Sequence, residues 1–574
     1  MNTVLRMSPP FFLAMSFLLP NHYYPWGSFY LEFCSYIFIF SLICLFLLEN
    51  KVFKSPSFFL NFFLAILFFP LAQYLFGIIV FHGDAAVASA YVFAFLAAFI
   101  VGYSLCKDHQ RLYYFNILSI SLLLIGIISV WISLIQWLET YRGIWVHEIP
   151  RGGRPFGNLG QPNNYSTLIF ISYFSAFYLY ERKVLSIASF LLAAIFLLFG
   201  LALGQSRTAW VVLACLSVAA LVSFFLFRHY PPRRLLFLLS SALGLFVFAN
   251  FLEPISQYLG LHNELEVRAR LQDVRLDMWQ SFVMAIGERP FFGFGWGQVS
   301  TAQLAVAESY PAVGMAQYSH NVFLDLLIWN GIPLGLAISV VILLLFLRAY
   351  LGSFSESGTY IFSCLGALLI HSMLEYPHAY AYFLILAGLF FGAGVYRCPQ
   401  SESAIRTNFE GLHLRVSRLF AREAKINRSV FGVGIVISVA AMALVWKEYR
   451  LLEEDQRLLR FEAASIGTLR APKKAPDVFL LDQLRSFLWV ARTSSDEELT
   501  AEEKRLIHSV AVRYPLPMPL LKRAHVIRED YGLQEAMASM DAIKYLYGEE
   551  VFQLAATEFR SGIEADTPTM MDRH

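Results

Sequence analysis

The feature that most constrains this fold is a series of apolar runs long enough to cross a lipid bilayer. A spanning helix needs about 20 apolar residues, and only helices and closed barrels satisfy their backbone hydrogen bonds within lipid. We therefore predict an all-α polytopic membrane protein with about 12–13 transmembrane helices. The candidate runs lie at 5–20, 29–48, 57–80, 85–105, 112–138, 164–180, 185–203, 208–227, 234–252, 321–347, 358–374, 377–396 and 430–446, the first and the sixth being short.

Composition agrees with a membrane protein. Of the 574 residues, 57% are hydrophobic and 15% are charged, whereas soluble domains are about half apolar and about a quarter charged. The N-terminal run lacks a small-residue cleavage site followed by a polar chain, so we expect a first span rather than a removed signal peptide. The formal net charge of +2 gives no indication of a nucleic-acid partner.

The distribution of lysine and arginine predicts the orientation. Every second connection between spans is basic, and the positive-inside rule places these connections in the cytoplasm. Residues 447–574 then lie outside the inner membrane, in the periplasm of a Gram-negative cell. The basic connections contain Arg6; Lys51 and Lys54; Lys107 and Arg111; Arg182 and Lys183; Arg228, Arg233 and Arg234; Arg348; and seven basic residues in 397–429.

Three of the outer connections are rich in arginine and contain no lysine. The planar guanidinium group suits phosphate and carboxylate, so this pattern favours anion recognition outside the membrane. Alternatively, the side chains reach the interface or pair locally. They are Arg142, Arg151 and Arg154 in 139–163, Arg207 in 204–208, and Arg268, Arg270, Arg275 and Arg289 in 253–319.

Arg275 is the preferred anion ligand within the large loop. Arg268 and Arg270 each follow a glutamate by four residues, which explains them as helix-stabilising pairs. Arg275 has Leu271 and Trp279 one turn away instead. Arg207 begins a predicted helix, whose N-terminus itself favours an anion.

The same patterns divide the chain into four predicted parts. Residues 1–252 form an N-terminal transmembrane bundle with the outer loop 139–163, and 253–319 form a large periplasmic loop. Residues 320–446 form a C-terminal bundle. Residues 447–574 form a soluble helical domain, loosely similar to tetratricopeptide units but without a clean 34-residue repeat.

Two segments supply candidate chemistry. In "YSHNVFLDLLIWNGIPLG", 318–335, His320 is a candidate general base, although a histidine at a helix start is more often a cap. Asp325, five residues later, either pairs with His320 or serves structure. The turn "IHSMLEYPHAYAYF", 370–383, contributes His371, Glu375 and Tyr376 as residues that hold substrate. Its His-x3-Glu-x2-His spacing matches no common ligand pattern, so we predict no metal site.

The segment "RGGRPFGNLGQPNNYST", 151–167, is polar between two apolar runs. Its glycines could let the backbone approach phosphate or could form an ordinary turn. Gln161 and Asn163 stand at the outer start of the next helix and are candidates for positioning the sugar or acceptor. Arg154 is a further candidate anion ligand.

These pieces resemble the superfamily of bacterial O-antigen ligases, O-antigen polymerases and O-linked oligosaccharyltransferases. "GQSRTAW", "PFFGFGWG" and "SHNVFLDLLIWNGIPLG" carry the resemblance over roughly 200–350. "RPFGNLGQPNNYST", "HSMLEYPHAYAYF" and the C-terminal helical domain resemble the protein-glycosylating, PglL-type branch. Tyr165 and His378 stand where that branch often has other residues.

The resemblance implies an activity and residue roles. Family members transfer a glycan from undecaprenyl pyrophosphate to a hydroxyl outside the inner membrane, without nucleotide or metal. It implies that His320 is essential, that Arg207 and Arg275 hold the pyrophosphate, and that Gln161 and Tyr376 serve protein glycosylation. The acceptor is then a Ser or Thr hydroxyl of a periplasmic protein, a pilin being one candidate.

Three alternatives remain at this point. The first, within the same superfamily, is ligation of O-antigen to the lipid A core, or its polymerisation. The second is a transporter for an anionic lipid, but transporters place ionisable residues near the bilayer midplane. The third is a non-catalytic scaffold, which leaves His320 and the outer arginines without a purpose.

Overall fold

The computed structural model describes residues 2–108, 110–140, 143–150, 153–226, 231–261, 275–312, 314–353, 355–396, 420–464, 466, 474–494 and 497–566. Within these ranges the chain forms helices, one 3-10 turn at Pro377–Ala379 and two short strands. The helices are α1 (Asn2–Leu18), α2 (Phe29–Leu48), α3 (Ser57–Leu75), α4 (His82–Lys107), α5 (Arg111–Trp137), α6 (Pro162–Glu181), α7 (Ile187–Leu203), α8 (Arg207–Leu226), α9 (Pro232–Tyr258), α10 (Arg275–Glu288), α11 (Val299–Val306), α12 (Val322–Leu351), α13 (Glu356–Ser372), α14 (Ala381–Val395), α15 (Arg428–Ala463), α16 (Asp482–Arg492), α17 (Ala501–Arg513), α18 (Pro517–Tyr531), α19 (Leu533–Tyr547) and α20 (Glu549–Asp566).

Eight of these helices are long and apolar enough to cross a membrane, which confirms the predicted all-α polytopic fold. They are α2, α3, α4, α5, α8, α9, α12 and α15, and the shorter α7 and α14 are also apolar. The chain is therefore a multi-pass membrane protein. The proposed number of spans and their orientation stay predictions.

Contacts divide the chain into two compact units. The first comprises residues 1–67, 91–272 and 340–439, and the second comprises 68–90, 273–339 and 440–574. The chain passes from one unit to the other within α3, α4, α12 and α15. Residues 273–339 thus share a unit with the C-terminal helices.

In the first unit, α6 is a buried central helix. Residues 163–179 are buried on every side of it, where it packs against α5, α7, α8 and α13. Because α6 faces protein rather than lipid, its hydroxyls can bond within the protein: Ser172 Oγ donates to the carbonyl of Leu122 at 2.7 Å. Gly126 faces Ser172 so closely that a Cβ there would lie 2.3 Å from its Oγ. This burial explains why 164–180 is a weak span by apolarity alone.

A pair of short β-strands was not predicted from the sequence. Strand β1 (Phe53–Pro56) pairs antiparallel with β2 (Glu423–Ile426), with Phe53 opposite Ile426. Phe53 is buried and stacks on Phe431, their ring centroids 4.3 Å apart. A four-residue strand whose partner lies far along the chain has no detectable period of its own, so sequence patterning does not find it.

In the second unit, the C-terminal helices bind residues 300 and 312, which lie between α10 and α12. Arg513 binds Asp84 through two nitrogens, at 2.6 and 3.1 Å, and its carbonyl accepts a hydrogen bond from Ser300 Oγ at 2.8 Å. The backbone N–H of Ala312 donates to the carbonyl of Tyr545 at 2.8 Å. A shared core joins α17–α20 to α11 and its neighbours. The helical prediction for 447–574 is confirmed over its described residues.

Candidate active site

His320 lies in a loop immediately before α12, in a left-handed backbone conformation. Its φ is +59°, in the left-handed region that non-glycine residues seldom adopt. The following residue, Asn321, caps the helix: its Oδ1 accepts from the backbone N–H of Phe323 at 3.0 Å. The half-buried His320 side chain is therefore presented by a loop, directly above a capped helix.

The loop that carries His320 is anchored at Ser319, through both its N–H and its carbonyl. The backbone N–H of Ser319 donates to Oδ1 of Asp325 at 2.8 Å, and Asp325 is fully buried. The carbonyl of Ser319 accepts a hydrogen bond from Trp279 Nε1 of α10 at 2.9 Å. The Asp325 carboxylate therefore holds the loop backbone, which is one of the two roles predicted for it.

The anchor on α10 also relates Arg275 to His320. Arg275 is the first residue of α10, one helical turn before Trp279, so both residues lie on one face of that helix. Trp279 in turn holds the residue next to His320. The second unit thus brings Arg275 and the histidine loop together through α10. Arg268 and Arg270, with their glutamate partners, lie outside the described residues, as do Arg142 and Arg151.

The glycine-rich stretch "PFFGFGWG" packs against a break in α12. Gly331 interrupts α12 with φ +74° and ψ 175°, which frees the carbonyls of Ile328 and Trp329. The N–H groups of Phe294 and Gly295 occupy them at 2.8 and 3.2 Å. A Cβ on Gly331 would meet the Phe291 carbonyl at 2.5 Å. The stretch is therefore a set of tight turns that fits the broken helix.

In the first unit, Asn163 links three segments at the start of α6. Its Nδ2 donates to Oε1 of Glu375 at 3.0 Å, and its Oδ1 accepts from Ser206 Oγ at 2.6 Å. Ser206 directly precedes Arg207, the exposed first residue of α8. Gln161 is the N-cap of α6 and is half-buried, with no side-chain capping bond.

The turn after α13 brings the other predicted side chains to the same place. Nδ1 of His371, which is buried, lies 2.8 Å from Thr167 Oγ1 of α6. Glu375 is also buried. Burial, together with the Glu375 carboxylate, raises the pKa of Tyr376. The Tyr376 phenol therefore stays protonated at neutral pH and can donate a hydrogen bond.

Arg154 contacts the segment that leads to Arg207. Its Nη1 donates to the carbonyl of Gln205 at 3.4 Å, two residues before Arg207. The first unit thus assembles Arg154, Asn163, Arg207, His371 and Glu375 from three separate parts of the chain. Within the described ranges, no group of three or more His, Cys, Asp or Glu side chains is arranged to hold a metal ion.

Sequence reasoning missed the side chains that support this group. Gln136 holds the 143–160 loop: its Oε1 accepts from the N–H groups of Phe156 and Gly157 at 3.0 and 2.9 Å. Asn158 Nδ2 donates to the carbonyl of Leu18 at 2.7 Å. A single amide in an apolar run gives no pattern from which such a role could be read.

Glu32 was also missed, although it carries a signal. This buried carboxylate near the start of α2 accepts hydrogen bonds from Trp26 Nε1, Ser28 Oγ and Tyr91 Oη. It thereby ties the 19–28 loop to α4. An acidic residue within an apolar span is a functional candidate by default.

Comparison with known proteins places the chain in a family. A family described as "O-Antigen ligase" matches residues 192–339, and one described as "Virulence factor membrane-bound polymerase, C-terminal" matches residues 359–561. A "ComP-specific O-oligosaccharyltransferase" of Acinetobacter baylyi is 30% identical over 387 residues, covering 67% of this chain and 70% of that protein. The chain belongs to the O-antigen ligase and O-oligosaccharyltransferase family.

A second relative in this family matches almost the whole chain. A "General O-oligosaccharyltransferase" of the same organism is 28% identical over 564 residues, which is 95% of this chain and 93% of that protein. The resemblance read from the motifs is confirmed. The polymerase match reaches Arg513 and the helices that follow it, so the family similarity continues beyond the membrane bundle into the C-terminal helices.

Proposed function

We propose that the protein transfers an oligosaccharide from undecaprenyl pyrophosphate to Ser or Thr hydroxyls of proteins outside the inner membrane. The observation that carries this proposal is the similarity to the general O-oligosaccharyltransferase over 95% of the chain, since it includes the C-terminal helices as well as the bundle. The acceptor is a periplasmic protein, with a pilin as one candidate.

His320 acts as the general base. The acceptor hydroxyl attacks the anomeric carbon of the first sugar, the bond from that carbon to the pyrophosphate oxygen breaks, and the imidazole takes the hydroxyl proton. Direct attack inverts the anomeric configuration. A positioned base of this kind contributes roughly 10²–10⁴-fold to the rate. The assignment of His320 as the base is supported by its position in a loop directly before the capped helix α12.

Arginine stabilises the leaving pyrophosphate, with no metal ion required for that role. Negative charge develops on the departing oxygen, and the loss of one donor placed there typically costs about 10²–10³ in rate. We assign this role to Arg275 and Arg207, with Arg154 as a further donor to the phosphates. Arg207 is exposed at the N-terminus of α8, where the helix end also favours an anion.

The polar group at the start of α6 positions the glycan or the acceptor. Gln161, whose side chain forms no capping bond, and Tyr376, whose phenol is protonated, are the two groups we assign to direct contact. Asn163, Glu375 and His371 hold the segments that carry them. This division follows from their hydrogen bonds, because Asn163 and Glu375 are bonded to one another.

Ligation of O-antigen to the lipid A core, or its polymerisation, is the second candidate. It is favoured by the descriptions of the two matching families, which name an O-antigen ligase and a polymerase. Both reactions would use the same base and the same arginines and would differ only in the acceptor.

One experiment separates these functions. The chain is expressed in a Gram-negative host that makes a lipid-linked oligosaccharide and lacks its own ligase, and the glycan is then followed on protein, on lipopolysaccharide and as polymer. Glycan on protein is expected with the wild type and not with His320→Asn. Glycan only on lipopolysaccharide would identify a ligase, and glycan on neither would reject both transfer reactions.

A further inference from the structure

The connection between α10 and α11 exposes two large apolar side chains. Phe291 and Phe292 of "PFFGFGWG" are 70% and 66% exposed. Val283 and Met284, in the last two turns of α10, are exposed as well. A single exposed apolar side chain is common on proteins, but several close together along one short segment indicate a surface that another molecule covers. These side chains therefore form a candidate contact surface.

The turn that carries the two phenylalanines is fixed against the break in α12. The backbone N–H of Ile332 donates to the carbonyl of Pro290 at 2.7 Å. A Cβ added to Gly331 would lie 2.5 Å from the Phe291 carbonyl and 2.8 Å from the backbone nitrogen of Phe292. Because the two backbones are in direct contact, the phenylalanines lie level with the break along α12.

This level falls within the apolar length of α12. The helix is one of those long and apolar enough to cross a membrane, and its sequence has no charged residue between Asp325 and Arg348. That uncharged length is about 33 Å at a rise of 1.5 Å per residue, close to the roughly 30 Å of bilayer hydrocarbon. Ile332 lies only about 10 Å from Asp325 along the axis. The turn therefore meets α12 inside the hydrocarbon, near one of its two surfaces.

A row of exposed apolar side chains begins on α12 at the same level. Ile332, Leu336, Val340 and Leu343 are exposed and recur every three or four residues, so they share one face of the helix. On a membrane-spanning helix such a face contacts lipid chains. Arg289, two residues before Phe291, is exposed. A long arginine stem lets the charge stay among the headgroups while the neighbouring residues lie in hydrocarbon, which agrees with a position near the membrane surface.

The backbone of the turn is suited to lipid because its polar groups are bonded within the protein. The N–H of Phe294 donates to the carbonyl of Ile328 at 2.8 Å, and the carbonyl of Phe292 accepts from Gln73 Nε2 of α3 at 3.3 Å. The Pro290 carbonyl is bonded to α12, as described above. Irregular backbone is tolerated at membrane depth only where protein satisfies it in this way.

We propose that the Phe291–Phe292 turn inserts into the bilayer, so that the connection between α9 and α12 is a re-entrant segment rather than a loop that lies wholly in water. Its partner is the acyl-chain layer of the leaflet next to the N-terminal end of α12. The same segment carries Trp279, which binds the Ser319 carbonyl, so insertion sets the height of the His320 loop relative to the membrane. The inference does not depend on the proposed function.

Lipid contact is tested on the full-length protein in nanodiscs that contain a phospholipid with an alkyne on its acyl chain. The photoreactive amino acid p-benzoylphenylalanine replaces Phe292, and light-induced lipid adducts are detected through the alkyne. The same replacement at Leu336 is the positive control, and at Tyr531, which is 74% exposed in the C-terminal helices, the negative control. We expect adducts at Phe292 and Leu336 only. An adduct no stronger at Phe292 than at Tyr531, or a crosslink between two copies of the chain in its place, would overturn the proposal.

Reaction with a charged, water-soluble maleimide gives an independent measure. In nanodiscs, Phe292→Cys is expected to react roughly tenfold or more slowly than Tyr531→Cys, because hydrocarbon excludes both the thiolate and the charged reagent. Labelling is quantified by mass spectrometry on the peptide that carries the new cysteine, so the six native cysteines do not interfere. Equal rates would place the turn in water and reject its insertion.

Phe292→Asp separates lipid contact from exposure to water. An aspartate on an exposed turn in water costs little, whereas a carboxylate within the hydrocarbon is expensive. The melting temperature of Phe292→Asp in nanodiscs is therefore expected to fall below that of the wild type, while Tyr531→Asp is expected to leave it unchanged. A melting temperature of Phe292→Asp equal to that of the wild type would show that the side chain faces water.

Discussion

Asn163 donates a hydrogen bond from Nδ2 to Oε1 of Glu375 over 3.0 Å, which joins the start of α6 to the turn after α13. Ser206 Oγ completes the link by donating to the other end of the same amide. All three side chains are buried. The segments that carry Gln161, Tyr376 and Arg207 are therefore held together by a single side-chain amide.

Asn163→Ala is expected to lower the free energy of unfolding by about 2 kcal/mol, because the buried Glu375 carboxylate then loses a donor. It should also reduce transfer, since the Tyr376 turn loses its anchor. Thermal unfolding in detergent and transfer to an acceptor protein measure the two effects. Asn164→Ala is the matched control: Asn164 is equally buried, but its amide atoms make no hydrogen bond within the described residues. Equal destabilisation by both variants would contradict this account.

His320→Asn tests the general base without disturbing the loop. Asparagine tolerates the left-handed region better than most residues, so the backbone at φ +59° is kept while the base is lost. Transfer is expected to fall by roughly 10²–10⁴-fold, with unchanged thermal stability. Asn321→Asp, which retains the helix cap, should keep most of the activity. Near-normal transfer by His320→Asn would exclude His320 as the base.

Gly331→Ala tests the break in α12. Alanine would be strained at φ +74° and ψ 175°, and its Cβ would lie 2.5 Å from the Phe291 carbonyl. We expect a loss of about 3 kcal/mol in stability. Gly287→Ala is the control, because Gly287 lies within helix α10 with no atom near its Cβ position. That change should stabilise by about 0.5–1 kcal/mol. A stable Gly331→Ala protein would show that the break is not required.

Much of the fold could be predicted from the sequence because apolar runs and caps are local signals. The spans at 29–48 and 112–138 match α2 and α5 closely. The run at 164–180 was weak because α6 is surrounded by protein and carries hydroxyls that a lipid-facing helix would exclude. Strand β1 was missed because its partner lies far along the chain.

The candidate site residues were predicted from their residue types and their positions near helix ends. The contacts that hold these residues in place were not predicted. Asp325 accepts a hydrogen bond from the Ser319 N–H, and His320, the next residue, has a left-handed backbone conformation. Trp279 of α10 donates to the Ser319 carbonyl. Such a conformation is imposed by tertiary contacts, so no local pattern reports it.

Glu32→Gln tests the buried carboxylate that sequence reasoning overlooked. Glutamine keeps the size but offers one acceptor oxygen, so at least one of the donors from Trp26, Ser28 and Tyr91 loses its partner. We expect a loss of about 2 kcal/mol, measured by thermal unfolding. Glu49→Gln, next to the other end of α2, removes the charge from ion pairs with Arg6 and Lys51 at the surface but keeps an acceptor oxygen, and should cost less than about 1 kcal/mol. A larger effect at Glu49 would refute this assignment.

Lysine replacements test whether the geometry of the arginine side chain, rather than its charge, binds the lipid-linked oligosaccharide. Arg275→Lys and Arg207→Lys keep a positive charge but lose the planar fork that binds phosphate through two hydrogen bonds. Each is expected to raise the KM for the lipid-linked oligosaccharide roughly tenfold, with the KM for the acceptor unchanged. Arg289→Lys is the control in the same loop, because Arg289 is exposed and lies 4.8 Å over the Phe294 ring. An unchanged KM for the lipid-linked oligosaccharide in Arg275→Lys would reject the bidentate contact. An equal rise of this KM in Arg289→Lys would show that the effect is a general loss of loop structure.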